Sequence, residues 1–298
     1  MLSRMRNSSP VFVLLFGSVL WGLSWIPLKY FQEQGIEGIP LVFVGYGFVA
    51  ALFLPFFIKQ YPIWKDQQKY IWIILILSGA ANLAFTSAIM YGDVIRVMVL
   101  FYLIPAWGVL GGWFFLNEKI TRTRWVTVTF ALLGAFLVLG GLKIFSTPPS
   151  WIDLLAVISG FALSMNNIAF RASSNLPLAS KMGAIFIGSI LMAGFLMLLN
   201  VQTMPIAPMS LWGMIIGFVS VWILIATLST QWAVTKLEVG RASILIIMEL
   251  ITAVLSAMWI GGERLSLLEM FGGLLILIAA VVEAWGESAE KKPPQQSA

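Results

Sequence analysis

Glu249 stands near the middle of an apolar run that extends from 240 to 260. At the centre of a bilayer a carboxylate costs at least about 2.5–3.5 kcal/mol, so this side chain is expected to face a helix bundle or a wet cavity. Burial favours the neutral carboxyl, which can then take up and release a proton. Glu249 is therefore predicted to pair with a substrate ammonium group or to couple proton movement. The alternative is a neutral carboxyl that hydrogen-bonds to a neighbouring helix.

Two arginines stand at predicted helix beginnings, Arg96 in the fourth apolar run and Arg241 in the ninth. Arg96 is predicted to close a gate by pairing with Asp93 or to bind a substrate carboxylate. Snorkelling toward lipid headgroups is the alternative for both, and especially for Arg241 near the predicted cytoplasmic face. A cation at a helix start is unfavourable for the helix dipole, which indicates a compensating partner.

Two asparagines within apolar runs are further candidates for solute binding, Asn82 in the third and Asn166 in the sixth. Their amides can donate and accept inside a cavity, whereas hydrogen bonding between helices, worth about 0.6 kcal/mol each, is the alternative. Five aromatic side chains also lie within the runs, away from the interfacial belt where Trp and Tyr collect. A pocket that they line suits an amphipathic or cationic ligand, and plain helix packing is the alternative. They are Trp21, Trp25, Tyr46, Tyr102 and Trp107.

The composition decides what kind of fold positions these residues. The chain has 298 residues, of which 60% are hydrophobic and 10% charged, and its mean hydropathy is +0.94. Soluble domains carry about 25% charged residues, so a soluble globule is excluded, and the apolar content excludes disorder. The absence of Cys and His removes disulfides, thiolate nucleophiles and the usual histidine constellations. An integral membrane protein remains.

The apolar runs are long and do not alternate, which predicts an all-α membrane protein with ten transmembrane helices. Pro27 and Pro105 lie deep in two of these helices and are predicted to kink them and expose carbonyl groups. Ser266 and Glu269 have the spacing of a capping box at the start of the tenth. The predicted spans are 11–31, 40–59, 70–91, 95–116, 123–142, 152–171, 181–200, 210–232, 240–260 and 267–286.

The distribution of Lys and Arg predicts a cytoplasmic N-terminus. With ten spans the C-terminus is also cytoplasmic, and the outer segments then hold Lys29, Lys143 and Arg264, with Arg96 and Arg241 left out of the count because they lie at helix beginnings. The inner segments hold Arg4, Arg6, Lys59, Lys65, Lys69, Lys119, Arg122, Arg124, Arg171, Lys181, Lys236, Lys291 and Lys292. The first run lacks a cleavage signal and is predicted to be a retained span.

The two halves of the chain align without gaps after a shift of 145 residues. Asp93 falls on Glu238, Arg96 on Arg241 and Glu118 on Glu263. Because each half holds five spans, an odd number, the second copy is inserted upside down, and inverted repeats of this kind are typical of transporters. The predicted units are a first repeat at 1–145, an inverted repeat at 146–286 and a disordered cytoplasmic tail at 287–298.

Several short motifs, in order along nearly the whole chain, resemble the EamA-type pattern of the drug/metabolite transporter superfamily. The resemblance implies a ten-helix inner-membrane carrier, with many exporters of amino acids and other metabolites among its members, whose central cavity leaves the fifth and tenth helices peripheral. The chain departs from the pattern at 44–47, where an Arg is frequent, and at Leu250, where a Pro is frequent. The motifs are Trp21-Gly22, Ala88-Ile89-Met90-Tyr91, Pro105, Leu116-Asn117-Glu118 and Gly261-Gly262-Glu263.

The sequence therefore predicts a secondary transporter, an exporter of a small amphipathic or cationic metabolite that works by alternating access. An importer, facilitative or proton-coupled, is the alternative. An intramembrane aspartyl protease is disfavoured because Asp66, Asp93 and Asp153 lie at loop or helix-end depth. The expected partners are a small-molecule solute and the lipid bilayer, with a homodimer left open. No cofactor, metal or nucleic acid is predicted.

Overall fold

The computed structural model describes residues 2–116, 122–139, 141–142, 149–173, 175–234, 236 and 239–290. Within these ranges the chain forms helices joined by turns, and no strand. The helices are α1 Leu2–Gly22, α2 Trp25–Glu33, α3 Gly38–Lys59, α4 Tyr61–Trp64, α5 Gln68–Tyr91, α6 Val94–Phe101, α7 Ile104–Leu116, α8 Arg122–Val138, α9 Trp151–Ala172, α10 Leu178–Leu198, α11 Met209–Gly217, α12 Leu224–Val234, α13 Val239–Trp259 and α14 Leu267–Glu290, with a 3₁₀ turn at Lys65–Gln67 and a π-helix at Phe218–Ile223 between α11 and α12.

Helices occupy all ten positions at which spans are predicted, and seven segments are long and apolar enough to cross a membrane. Three shorter apolar stretches, Trp125–Val138, Leu245–Trp259 and Leu267–Val282, coincide with the predicted fifth, ninth and tenth spans. The chain is therefore a multi-pass membrane protein. The predicted tail at 287–298 begins inside α14, and residues 291–298 lie outside the described ranges. The seven segments are Pro10–Glu33, Gly38–Lys59, Tyr61–Tyr91, Val94–Phe115, Trp151–Phe170, Leu178–Leu198 and Met209–Ala233.

The first span is interrupted between α1 and α2, one turn before Pro27. Proline lacks the N–H that would bind the carbonyl four residues earlier, which belongs to Leu23. The chain responds with tighter bonds: the Ser24 N–H donates to the Trp21 carbonyl at 3.1 Å, and the Ser24 hydroxyl donates to the same oxygen at 2.7 Å. The kink predicted at Pro27 is confirmed.

The fourth span is interrupted in the same way, between α6 and α7. Tyr102 and Leu103 form the break, and Pro105 leaves the carbonyl of Phe101 without its usual helical donor. The Leu103 N–H binds back to Leu100 at 3.3 Å, as in a 3₁₀ turn. The interruption of the helix predicted at Pro105 is confirmed as well, whereas the carbonyl of Phe101 packs against Gly160 of α9. The π-helix in the eighth span has no proline signal.

Helix packing builds one bundle. In its interior α5 packs against α9 and α10, and α10 also packs against α3. On the other side α1 packs against α12 and α13, while α13 also contacts α6 and α14. Helices α8 and α14 pack mainly on each other and leave many apolar side chains exposed. This matches the peripheral fifth and tenth helices that the resemblance implies.

Gly188 permits the close approach of α10 to α5, because a Cβ atom at this position would overlap the backbone carbonyl of Leu75. We expect Gly188→Val to force the helices apart and to destabilise the protein by about 1–3 kcal/mol or more. Thermal unfolding in detergent measures the change. Gly213→Val is the matched control, since no atom lies within 4 Å of a Cβ there. An equal effect of the two substitutions would contradict this prediction.

Candidate functional site

Glu249 lies halfway along α13, ten residues from Val239 and ten from Trp259. At a rise of about 1.5 Å per residue, the carboxyl group is about 15 Å from each end of a helix that matches the bilayer in length. Gly22, the last residue of α1, packs against the Glu249 backbone, where a Cβ atom would come within 2.6 Å of its carbonyl oxygen. The interruption of the first span therefore lies at the level of Glu249.

The interruption of the fourth span also meets Glu249. The Tyr102 hydroxyl donates to the Ile246 carbonyl oxygen at 3.0 Å and lies beside the Glu249 carboxyl, three residues further along α13. Tyr102 is 4% exposed, whereas Glu249 keeps part of its surface accessible. Because a hydroxyl has one proton, Tyr102 cannot donate to Ile246 and to an ionised Glu249 at the same time, whereas its oxygen can accept from a neutral carboxyl.

Aromatic rings lead away from this contact across three helices. The ring centroids of Tyr102 and Phe101 are 5.7 Å apart, those of Phe101 and Phe85 4.9 Å, and those of Phe85 and Trp21 6.5 Å. Three of the candidates from the sequence, Glu249, Tyr102 and Trp21, are thus connected through this row of rings. Phe85 and Phe101 escaped the sequence analysis because Phe in an apolar span carries no signal that separates lining from packing.

Trp25 borders the same site but is held by packing. Its indole N–H donates to the Ser256 hydroxyl at 2.9 Å, and its ring packs beneath Gly261. The side chain is 7% exposed. Trp25 therefore attaches α2 to the C-terminal half of α13.

The two asparagines join helices. The Asn82 amide donates to the Ser189 hydroxyl at 2.9 Å, which links α5 to α10, and the Ser78 hydroxyl donates to the Asn166 carbonyl oxygen at 3.1 Å, which links α5 to α9. These are the interhelical bonds of the alternative interpretation. Asn166 is buried, whereas Asn82 keeps part of its surface accessible.

Tyr46 and Trp107 lie apart from Glu249 in sequence and in contacts. Tyr46 is buried, with its ring 5.6 Å from that of Phe186 and its hydroxyl in hydrogen-bonding contact with Thr86. Trp107 meets Phe161 edge-on at 5.6 Å. Its indole N–H is buried and has no partner among the described residues. Such a donor gains about 1–3 kcal/mol when an acceptor reaches it.

Arg96 has a different partner from the one predicted. Its guanidinium binds both carboxylate oxygens of Asp153 at the start of α9, at 2.6 and 3.0 Å, and donates to the Val138 carbonyl oxygen at 2.9 Å. Asp93 instead accepts the backbone N–H of Arg96 at 2.9 Å and caps α6. Asp153 also forms a capping box with Ser150. The compensating partner of Arg96 is thus a bidentate carboxylate that ties α6 to α9.

Arg241 lies in the first turn of α13, as the sequence predicts, but its side chain is outside the described part of the structure.

The predicted capping box at α14 is confirmed: the Ser266 backbone N–H and hydroxyl donate to Glu269 at 3.0 and 2.7 Å. Glu263, three residues before Ser266, accepts the backbone N–H groups of Val94 and Ile95 at 2.7 and 2.9 Å. The sequence assigned this corner to structure without locating the contact.

Comparison with known proteins also points to a membrane transporter. Residues 8–140 match the EamA-like transporter family, which confirms the resemblance over this first part of the chain and indicates a membrane transporter. A crystal structure described only as "Crystal structure of protein" has a TM-score of 0.57 and 14% sequence identity, over 96% of this chain and 99% of that chain. At this identity the likeness concerns the fold alone. No curated protein shows significant sequence similarity to the chain.

The bidentate pair predicts a structural role for Arg96. Asp153→Asn removes the charge from a carboxylate that is 5% exposed, beside a guanidinium that is 28% exposed. We expect a loss of about 1–3 kcal/mol in stability, less than for a fully buried pair. Thermal unfolding of Asp153→Asn, Arg96→Lys and the double variant measures the coupling. If the double variant lost as much stability as the two single variants added together, the two side chains would not be energetically coupled.

Proposed function

We propose that the protein is a secondary transporter of a small organic metabolite, with the solute site around Glu249. The observation that carries the proposal is the meeting of a carboxyl group in the middle of α13 with the interruptions of two other spans. Discontinuous helices near the bilayer midplane are typical of transporter sites, since free backbone groups and a polar side chain can there contact a solute.

The inverted repeat is supported by the way in which the helices pair. When each helix is exchanged for the one five spans away, the contact of α5 with α9 becomes that of α12 with α1. In the same way α10 with α5 becomes α3 with α11, and α1 with α13 becomes α9 with α6. All six pairs are in contact. This pattern is expected if 1–145 and 146–286 are two copies of one five-helix unit with opposite orientation.

The side chains around Glu249 favour a solute with an amino group and an apolar part. A carboxylate pairs with an ammonium group, and the faces of Trp21, Phe85 and Tyr102 attract both cations and apolar surface. An amino acid or a similar amphipathic cation combines these features. We propose export as the direction, with facilitative or proton-coupled import as the alternative. An intramembrane protease is disfavoured because Asp153 is engaged by Arg96 and Asp93 caps a helix.

Alternating access is the mechanism that this arrangement favours. The two halves rock about the midplane, so that Glu249 faces the cytoplasm in one state and the outside in the other. A proton and a solute ammonium group then compete for one carboxyl, with Tyr102 as hydrogen-bond partner in either case. The excess of inner Lys and Arg supports an inner-membrane location with both termini in the cytoplasm.

Glu249→Gln tests the proposal. The amide keeps the size of the side chain but neither ionises nor pairs with an ammonium group, so we expect transport to lose its pH dependence and to fall by at least about tenfold. Uptake of a panel of radiolabelled amino acids and organic cations by proteoliposomes measures both. Glu33→Gln, at an exposed outer carboxylate, is the control. Unchanged transport and pH dependence in Glu249→Gln would remove this residue from the mechanism.

The ten spans can be tested at two of the three shorter apolar helices, α8 and α13. The chain has no cysteine, so single cysteines give labelling without background. In intact cells an impermeant maleimide should reach Pro149→Cys and Arg264→Cys, whereas Arg122→Cys and Lys236→Cys should react only after permeabilisation. Labelling of both members of either pair from outside would mean that α8 or α13 does not cross the membrane.

A further inference from the structure

Glu263 joins the outer end of α13 to the beginning of α6. Its position is fixed by the turn that ends α13, in which Gly262 has a φ of +68° and the Glu263 N–H returns to the Ala257 carbonyl at 3.1 Å. The two carboxylate oxygens accept the Val94 and Ile95 N–H groups at 2.7 and 2.9 Å. These donors have no partner within their own helix, so the contact is charge-assisted at both oxygens.

A second contact joins the same two helices at the level of the bilayer centre, where Tyr102 donates to the Ile246 carbonyl oxygen at 3.0 Å. Helix α6 is thus attached to α13 at both of its ends. The buried residues Met98 on α6 and Ser256 on α13 lie between the two attachments along their helices. In the predicted orientation this stretch lies on the outer side of Glu249.

Charged groups from several elements surround Glu263. From α2, Lys29 donates to the last carbonyls of α5, Met90 at 3.1 Å and Gly92 at 2.5 Å, with its charge facing Glu263 and Asp93. The Asp93 carboxyl is in hydrogen-bonding contact with that of Glu263. The Arg96 guanidinium is held by Asp153, with Glu269 of α14 at 3.7 Å. Arg264, the next residue in the chain, is exposed.

We propose that Glu263 is a latch that holds the outer ends of α6 and α13 together, and that closure takes its carboxyl out of water and places it next to Asp93, where it takes up one proton. The inference rests on the proposed function for its role, since only a carrier needs the outer side to open. Two carboxylates in contact repel each other unless a proton lies between them. Opening separates them and releases that proton.

The direction of the pH dependence follows from the closed state. Burial raises the pKa of the Glu263 carboxyl above its ordinary value, and Asp93 raises it further, although the two backbone N–H bonds act in the opposite sense. In an open state the carboxyl meets water and returns toward the ordinary value of about 4.3. The closed state therefore binds the proton more tightly. Acid favours closure, and this advantage is lost as the pH rises through the raised pKa.

Cysteine accessibility in nanodiscs tests the latch without a substrate and independently of membrane orientation. Met98→Cys reports opening from the α6 side, and Ser256→Cys, a nearly isosteric change, reports it from α13 in case the first variant does not fold. We expect Glu263→Gln to raise the rate of reaction of either cysteine with a hydrophilic maleimide by about tenfold, since one charge-assisted bond is lost. The rate should also rise from acid to alkaline pH, and Glu263→Gln should abolish this rise.

Three controls separate opening of the latch from other effects. Gln34→Cys, at an exposed outer position, corrects for the ionisation of the thiol itself. Glu33→Gln, at a neighbouring exposed carboxylate, should leave the rates unchanged. Ser189→Cys, buried on α10 away from the latch, should not react faster in Glu263→Gln unless the whole protein has loosened.

An unchanged rate in Glu263→Gln, a rate that rises on acidification, or an equal gain at Ser189→Cys would each overturn the latch. The carrier proposal fails on a different result, the absence of any solute movement in proteoliposomes. If the cysteines respond as expected and no solute moves, the latch stands and the transport proposal falls.

Discussion

Inside a bilayer every backbone N–H and C=O must find a partner within the protein, because the hydrocarbon supplies none. The chain satisfies this rule with helices and departs from it mainly where Pro27 and Pro105 interrupt two of them. Both interruptions are compensated internally: the Ser24 hydroxyl binds the Trp21 carbonyl at one, and Tyr102 turns its hydroxyl to α13 at the other. Both breaks also pack against the helix that carries Glu249, one through Gly22 and the other through Tyr102.

The same need for internal partners explains the contacts at the end of α5 and the beginning of α6. Helix ends expose unpaired donors and acceptors, and here side chains from distant parts of the chain cover them. Lys29 lies on the last carbonyls of α5, whereas Asp93 and Glu263 cover the first N–H groups of α6. Each charge also matches the sign of the helix dipole that it meets. The unfavourable position of Arg96 at a helix start is compensated by Asp153.

Sequence patterns predicted those features that depend on neighbours along the chain. Hydropathy located the helices, proline located the interruptions, and the spacing of Ser266 and Glu269 located a cap. Contacts between distant residues could not be predicted in this way. Asp93 was the expected partner of Arg96 because it is three residues away, but a capping carboxylate binds the backbone, and the packing of α9 brings Asp153 to the guanidinium. Tyr102 was a candidate only because it is aromatic, and the sequence did not predict that it lies beside Glu249.

Helix α13 is continuous, whereas the helices that it contacts at Glu249 are interrupted. Glu249 and Glu263 are therefore connected by about 15 Å of continuous helix, from Glu249 to Trp259, and a short turn. If α13 moves as one body, the outer contact cannot separate without a shift of Glu249 relative to Tyr102, unless α6 follows by bending at Tyr102 and Leu103. A carboxyl in the middle of α13 and one just beyond its C-terminal end are thus connected through a single helix, and the break between α6 and α7 is the place where that connection can be relaxed.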